Sequence, residues 1–122
     1  MKKGRLTRNS EYRQVFAGGE SVATRGLVLY RMENGQTENR AGFVVSKKNG
    51  NAVVRNRIRR LFKETYRNYA GELTKGYDLV FIARAPAATF NFTQAAAEME
   101  RILKRGGLFK VFSEKNKLEI KR

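Results

Sequence analysis

The chain has 122 residues, with 26 Lys and Arg against 11 Asp and Glu and a net charge of +15. It contains no Cys and no His, which excludes a disulfide framework, thiolate zinc sites and Ser–His or Cys–His nucleophilic catalysis. Asp78 is the one Asp and the ten Glu are scattered, whereas a metal-dependent nuclease clusters its carboxylates.

A chain of this length reads as one domain over 1–122, with one core. Residues 1–8 are basic and aperiodic, and are read as a mobile arm. The Met-Lys-Lys start precedes no apolar run of secretory-signal length, and no long apolar segment predicts a membrane span. Cytoplasmic residence and no membrane partner are therefore expected. Asn9 or Ser10 can cap a short first helix, with Glu11 in its first turn. Tyr12, Val15 and Phe16 share one helical face, and Gly18-Gly19 ends it.

Residues 21–31 alternate as a strand. Leu27 and Leu29 point to one side, Val28 and Tyr30 to the other. Glu33-Asn34-Gly35-Gln36 reads as a hairpin loop leading into a returning strand over 40–46. Its apolar run Ala41-Gly42-Phe43-Val44-Val45 suits a central position.

Residues 46–67 form the most informative stretch. They hold eight basic residues and one acidic residue, Glu64, and so supply +7 of the net charge. Asn51 predicts an N-cap. On the helical wheel Val54, Ile58, Leu61, Phe62, Thr65 and Tyr69 form an apolar stripe. Asn56, Arg59, Arg60, Lys63 and Arg67 lie opposite, and Arg55 and Arg57 flank the stripe. A merely solvated helix would interleave Glu for i,i+4 pairing. This one favours Arg, whose planar fork fits phosphate oxygens. A nucleic-acid rail is the better reading. Gly50 can serve a turn or let backbone N–H groups approach a phosphate.

Residues 77–83 read as a buried strand, so strand, helix and strand predict a parallel βαβ crossover, right-handed by default. Arg84-Ala85-Pro86-Ala87 leaves as a loop. Asn91 and Gln94 form a capping box for a last helix. That helix buries Ala95, Met99, Ile102 and Leu103 and stops at Gly106-Gly107. The segment 109–122 is mixed and basic, and is read either as a further helix or as a mobile tail. By spacing alone, Tyr12, Phe16, Val28 and Tyr30 fit a core better than a base-stacking groove.

The run Ser46-Lys47-Lys48-Asn49-Gly50-Asn51-Ala52-Val53-Val54-Arg55-Asn56-Arg57-Ile58-Arg59-Arg60 closely resembles the signature of the bacterial ribonuclease P protein component. Arg5-Leu6 with Tyr12 and Val15-Phe16, then Leu29-Tyr30, then Ile82-Ala83-Arg84-Ala85-Pro86 extend the resemblance over most of residues 5–108. It implies an α/β sandwich: a small mixed sheet of about four strands with three or more helices and a left-handed crossover. It also implies a subunit assisting a catalytic RNA in removing the 5′ leader of precursor tRNA. The RNA subunit would be bound by Lys47, Lys48, Asn51, Arg55, Asn56, Arg57, Arg59, Arg60, Lys63 and Arg67. The single-stranded leader would lie on Tyr12, Phe16, Val28 and Tyr30, which reverses the core reading of those four. The expected Mg²⁺ would be held mainly by RNA, with no cofactor required by the protein alone and no DNA partner. The rival readings are a structural, for example ribosomal, RNA-binding protein and a protein-only nuclease.

Overall fold

The computed structural model describes residues 4–110. Helix α1 (Asn9–Gly18) leads into strands β1 (Glu20–Ala23), β2 (Leu27–Glu33) and β3 (Arg40–Val44). Helix α2 (Ala52–Tyr69), strand β4 (Tyr77–Ala83) and helix α3 (Phe92–Arg105) complete the order. The sheet runs β1-β2-β4-β3, antiparallel except for the parallel β3–β4 pair. The expected mixed four-stranded sheet, three helices and β3–α2–β4 crossover are present.

Two expectations about the sheet are corrected. The Asn34-Gly35 turn forms, with Gly35 at φ +70° and Gln36 N–H donating to Asn34 Oδ1 at 2.8 Å. However, β2 and β3 do not pair across it, because β4 lies between them. The loop spans two strand spacings of about 4.8 Å each. It is pinned to β4's entrance by Asn34 Nδ2 on Asp78 Oδ1 (2.9 Å) and Tyr77 N–H on Asn39 Oδ1 (2.8 Å). Nor is β3 central. It is an edge strand: Ala41 and Phe43 pack with the core on one face, Tyr12 covers Gly42 on the other, and its free side is paired at Ala41. Leu6 N–H donates to Ala41 O (3.1 Å) and Ala41 N–H to Gly4 O (3.0 Å). Within the arm expected to be mobile, Leu6 is buried and residues 4–6 lie along the sheet edge.

Strand alternation sorts the sheet into two faces. Leu27, Leu29, Ala41, Leu79, Phe81 and Ala83 pack against Ile58 and Phe62 of α2 and Ala95, Met99, Ile102 and Leu103 of α3. Each fully buried Leu, Ile or Phe contributes about 1.5–3 kcal/mol. Val80 on the other face packs with Val15 and Leu6, and Tyr12, Tyr30, Met32, Val44 and Ile82 flank that cluster. Thus α2 and α3 form one layer, and α1 partly covers the opposite face.

The local signals for the helices hold. Val54 N–H donates to Asn51 Oδ1 at 3.0 Å, and the Asn91–Gln94 box closes with 2.8 and 2.9 Å bonds. Helix α1 begins differently. Arg8 is its N-cap, and Glu11 reaches back to accept the N–H groups of Thr7 (2.8 Å) and Arg8 (3.0 Å). The strand read over 21–31 is two strands, broken at Thr24-Arg25-Gly26. At the other end, Phe109 pairs with Leu73 and Lys110 N–H donates to Glu72 O at 3.0 Å. Those two residues are docked rather than mobile. The reading of 1–3 and 111–122 as tails lies outside the described residues.

Candidate nucleic-acid interface

Helix α2 is built against its own charge. Arg55, Arg59, Lys63 and Arg67 follow one another at i,i+4, and each like-charge step costs a few tenths of a kcal/mol. Burial of Ile58, Phe62 and Thr65 on the other face offsets it. Asn51, Asn56, Arg57, Arg60 and Arg67 are exposed, as are Lys47 and Lys48 on the 3-10 turn Lys47–Asn49 before the helix. Gly50 leaves that turn at φ +132°, with the Val54 side chain packed against it. A side chain there would be strained and crowded.

Three guanidinium groups of this surface, those of Arg55, Arg57 and Arg59, are held by oxygen atoms of the chain. Arg55 Nη1 donates to Gly50 O at 2.8 Å. Arg57 donates to Ala88 O (2.6 Å) and Phe90 O (3.3 Å), and Arg59 to Asn56 Oδ1 at 2.7 Å. Such bonds fix direction while leaving the positive charge unneutralised. A fixed fork loses less entropy when it meets a phosphate.

On the far face of the sheet, the register lines up two rows across the strands. In the first, Gly42, Val80 and Tyr30 are neighbours. Helix α1 lies over this row, with Tyr12 on Gly42, Val15 in the Val80 cluster and Phe16 on Tyr30. The Phe16 and Tyr30 rings meet edge-on, with centroids 5.1 Å apart. In the second row, Val44, Ile82 and Val28 are neighbours and only half-buried. The result is an apolar floor beside a wall carrying Phe16, which is 40% exposed.

The four aromatic and apolar residues singled out from sequence therefore divide. Tyr12 and Tyr30 support the α1 cluster, Phe16 is presented to solvent and Val28 belongs to the floor. Val44 and Ile82 complete the floor and were missed. The alternation of β4 shows that Val80 and Ile82 share a face, but only the strand order places them beside Val28.

The α1-covered row and the rail meet at the β3 edge. Arg5, Tyr12, Gly42, Phe43, Arg59 and Lys63 are among the residues lining a small cavity of about 80 Å³ there. Burial raises the Tyr12 hydroxyl's pKa, an effect opposed by the nearby Arg5 and Arg59 charges. Arg5, Arg59 and Lys63 thus bring positive charge beside Tyr12, under the start of α1.

The acidic groups lie elsewhere. Asp78 is buried and accepts two bonds from Arg40, at 2.9 and 2.7 Å, while Arg40 Nη1 reaches Glu11 at 2.9 Å. Glu98 is committed to Thr24, Gly26 and Arg101. Among the described residues, no three His, Cys, Asp or Glu side chains gather to hold a metal ion. No helix among them is long and apolar enough to cross a membrane.

Comparison with known proteins bears on this arrangement. The family model described as Ribonuclease P matches residues 1–107. The ribonuclease P protein component of Caldanaerobacter subterraneus subsp. tengcongensis is 42% identical over 105 residues, covering 86% of this chain and 90% of that protein. That of Clostridium botulinum is 42% identical over 110 residues, covering 89% and 99%. Among solved structures, the Staphylococcus aureus RNase P protein superposes with a TM-score of 0.83 at 34% identity, covering 89% of this chain and all of that one. The Thermotoga maritima RNase P protein gives 0.77 at 30% identity, covering 83% and 96%.

Proposed function

This chain belongs to the ribonuclease P protein family, and from that premise we propose that its two surfaces divide the work of a ribonucleoprotein that removes the 5′ leader from precursor tRNA. The α2 rail binds the RNA subunit: Lys47, Lys48, Asn51, Arg55, Asn56, Arg57, Arg59, Arg60, Lys63 and Arg67 meet its phosphates. The groove beside Phe16, Tyr12 and Tyr30, floored by Val28, Ile82 and Val44, takes the single-stranded leader. The carrying observation is that an exposed aromatic and a half-buried apolar row share a sheet face with Tyr12, and Tyr12 borders a cavity with Arg5, Arg59 and Lys63 of the cationic surface.

Unpaired bases stack on aromatic rings at about 1–3 kcal/mol each, whatever their identity. The rail lowers the repulsion between the RNA subunit and the incoming substrate. In this reading the RNA carries the chemistry, and the described groove residues, Tyr12, Phe16, Val28, Tyr30, Val44 and Ile82, serve to bind. Mg²⁺ held by that RNA would supply charge stabilisation and activated water there. The chain works as one RNA-binding domain in the cytoplasm, where its RNA and substrate are found.

The test is reconstitution with a bacterial ribonuclease P RNA and precursor tRNA at low Mg²⁺. The protein should increase cleavage. Arg60→Ala should weaken RNA-subunit binding and flatten its logarithmic salt slope by about 0.7–0.9 per lost phosphate contact. Phe16→Ala should weaken binding of precursor but not of mature tRNA. Cleavage indifferent to the protein, or equal losses for the two tRNAs with Phe16→Ala, would reject the assignment.

A further inference from the structure

The floor row does not end at Val28. Val28 pairs with Ala23, the last residue of β1, so the groove runs from the α2 side of the sheet towards the Thr24-Arg25-Gly26 turn. A second set of arginines gathers at that turn. Arg105 Nη1, from the end of α3, donates to Ala23 O at 3.0 Å. Arg84 Nη1 donates to Thr24 O at 2.9 Å, and Arg84 N–H to Gly26 O at 2.9 Å. Arg84 is extended and follows Ile82 by two residues, so strand alternation places it on the groove face. Arg25 stands exposed on the turn itself.

The turn is locked from below. Glu98, buried on α3, accepts from Thr24 Oγ1 at 2.5 Å and from Gly26 N–H at 2.6 Å. Its other oxygen accepts from Arg101 Nη1 at 2.7 Å. The carboxylate is therefore offset by Arg101, and the charges of Arg25, Arg84 and Arg105 stay available. Backbone carbonyls fix Arg84 and Arg105 as they fix Arg55 and Arg57 on the rail. The groove thus has fixed guanidinium groups at both ends.

We propose that Arg25, Arg84 and Arg105 form a second phosphate-binding patch that holds the leader backbone upstream of the nucleotides lying in the groove. The proposal rests on the leader-groove reading above. It commits to the leader because the patch continues the floor row at the end remote from α2. Leaders too short to pass Val28 and Ile82 gain nothing from it. Longer leaders gain affinity that depends on salt and not on sequence.

The experiment uses the reconstituted holoenzyme and two precursors, with leaders of about three and about ten nucleotides. Binding is measured across a salt series for wild type, Arg25→Ala/Arg105→Ala and Phe16→Ala. A glutamine pair, Arg25→Gln/Arg105→Gln, repeats the test with side chains that keep their polarity, and circular dichroism checks each fold. The paired arginine variants should lose on the order of tenfold in affinity for the long leader, with a salt slope lower by about 0.7 per lost contact. Their affinity for the short leader should match wild type. Equal losses on both leaders, which would point to the RNA subunit, or no loss on either, would overturn the patch. If Phe16→Ala still weakens precursor binding in that event, the groove reading survives alone. If Phe16→Ala changes nothing on either leader, both readings fail together.

Discussion

Gly42 gives the most direct handle on how α1 is seated. A Cβ built there would lie 2.6 Å from Cε1 and Cζ of Tyr12, against an ordinary contact of 3.4 Å or more. The ring would have to retreat by the difference, at least about 0.8 Å. Overpacking of this kind costs about 1–3 kcal/mol. Tyr12 borders the cavity beside Arg59 and Lys63 and can yield towards it, so the lower half of that range is expected. For a chain of this size such a loss lowers Tm by roughly 4–8 °C. The assay is urea denaturation of wild type, Gly42→Ala, Tyr12→Ala and the double variant. With Tyr12 truncated the new methyl has room, and Gly42→Ala should become neutral or slightly stabilising, since a strand alanine is favoured over glycine. The same cost in both backgrounds, or a cost below about 0.5 kcal/mol in the wild-type background, would refute the close approach.

Two pH responses follow from groups outside the groove. Glu11 is held below the ordinary carboxylate pKa, chiefly by the backbone N–H groups of Arg8 and Thr7, with help from Arg40. Its contribution to stability is present above the unfolded-state pKa and is lost as pH falls through the lower folded value. Glu11→Gln should therefore flatten the acid limb of a pH–stability profile measured by thermal melting; an unchanged limb would count against the cap. Tyr66 shows the opposite sign. Burial pushes its hydroxyl up to about 12. The stability tied to the neutral ring is complete below the unfolded pKa and disappears as pH rises from there towards about 12. Tyr66→Phe should reduce the alkaline loss of stability, and identical profiles for the two proteins would show that another group drives it.

Features written in local sequence were legible. The Asn51 cap, the Asn91–Gln94 box and the stripes of α2 and α3 each need only a few neighbouring residues, and each formed. The rail was equally plain, because charge density survives any packing. The failures share a cause. Asn34-Gly35 specifies a turn but not the identity of the strand beside it, and β4 entered between the two strands it joins. Thr24-Arg25-Gly26 is a weak turn signal by itself. Its break is enforced by Glu98, 72 residues from Gly26 along the chain. Tyr66 lies off the apolar stripe of the helical wheel, yet its ring meets Phe43 and Phe81. The groove floor depends on which strands become neighbours, so Val44 and Ile82 were invisible until the register was known.

The place of β4 in the sheet also sets the order in which this protein can be made. It lies between β2 and β3, yet among the described residues it is the last strand in sequence. Its pairing with β2 joins residues about fifty positions apart, such as Leu29 and Phe81. Such contacts must meet their loop-closure entropy before they return any stabilisation, which slows folding. During synthesis, at about 5–20 residues per second, the whole of α2 is made before the strand that completes its platform. For about 1–3 s the most cationic part of the chain exists without the strand that completes its sheet. A polyanion met in that interval would reach those arginines before the completed sheet fixes their direction.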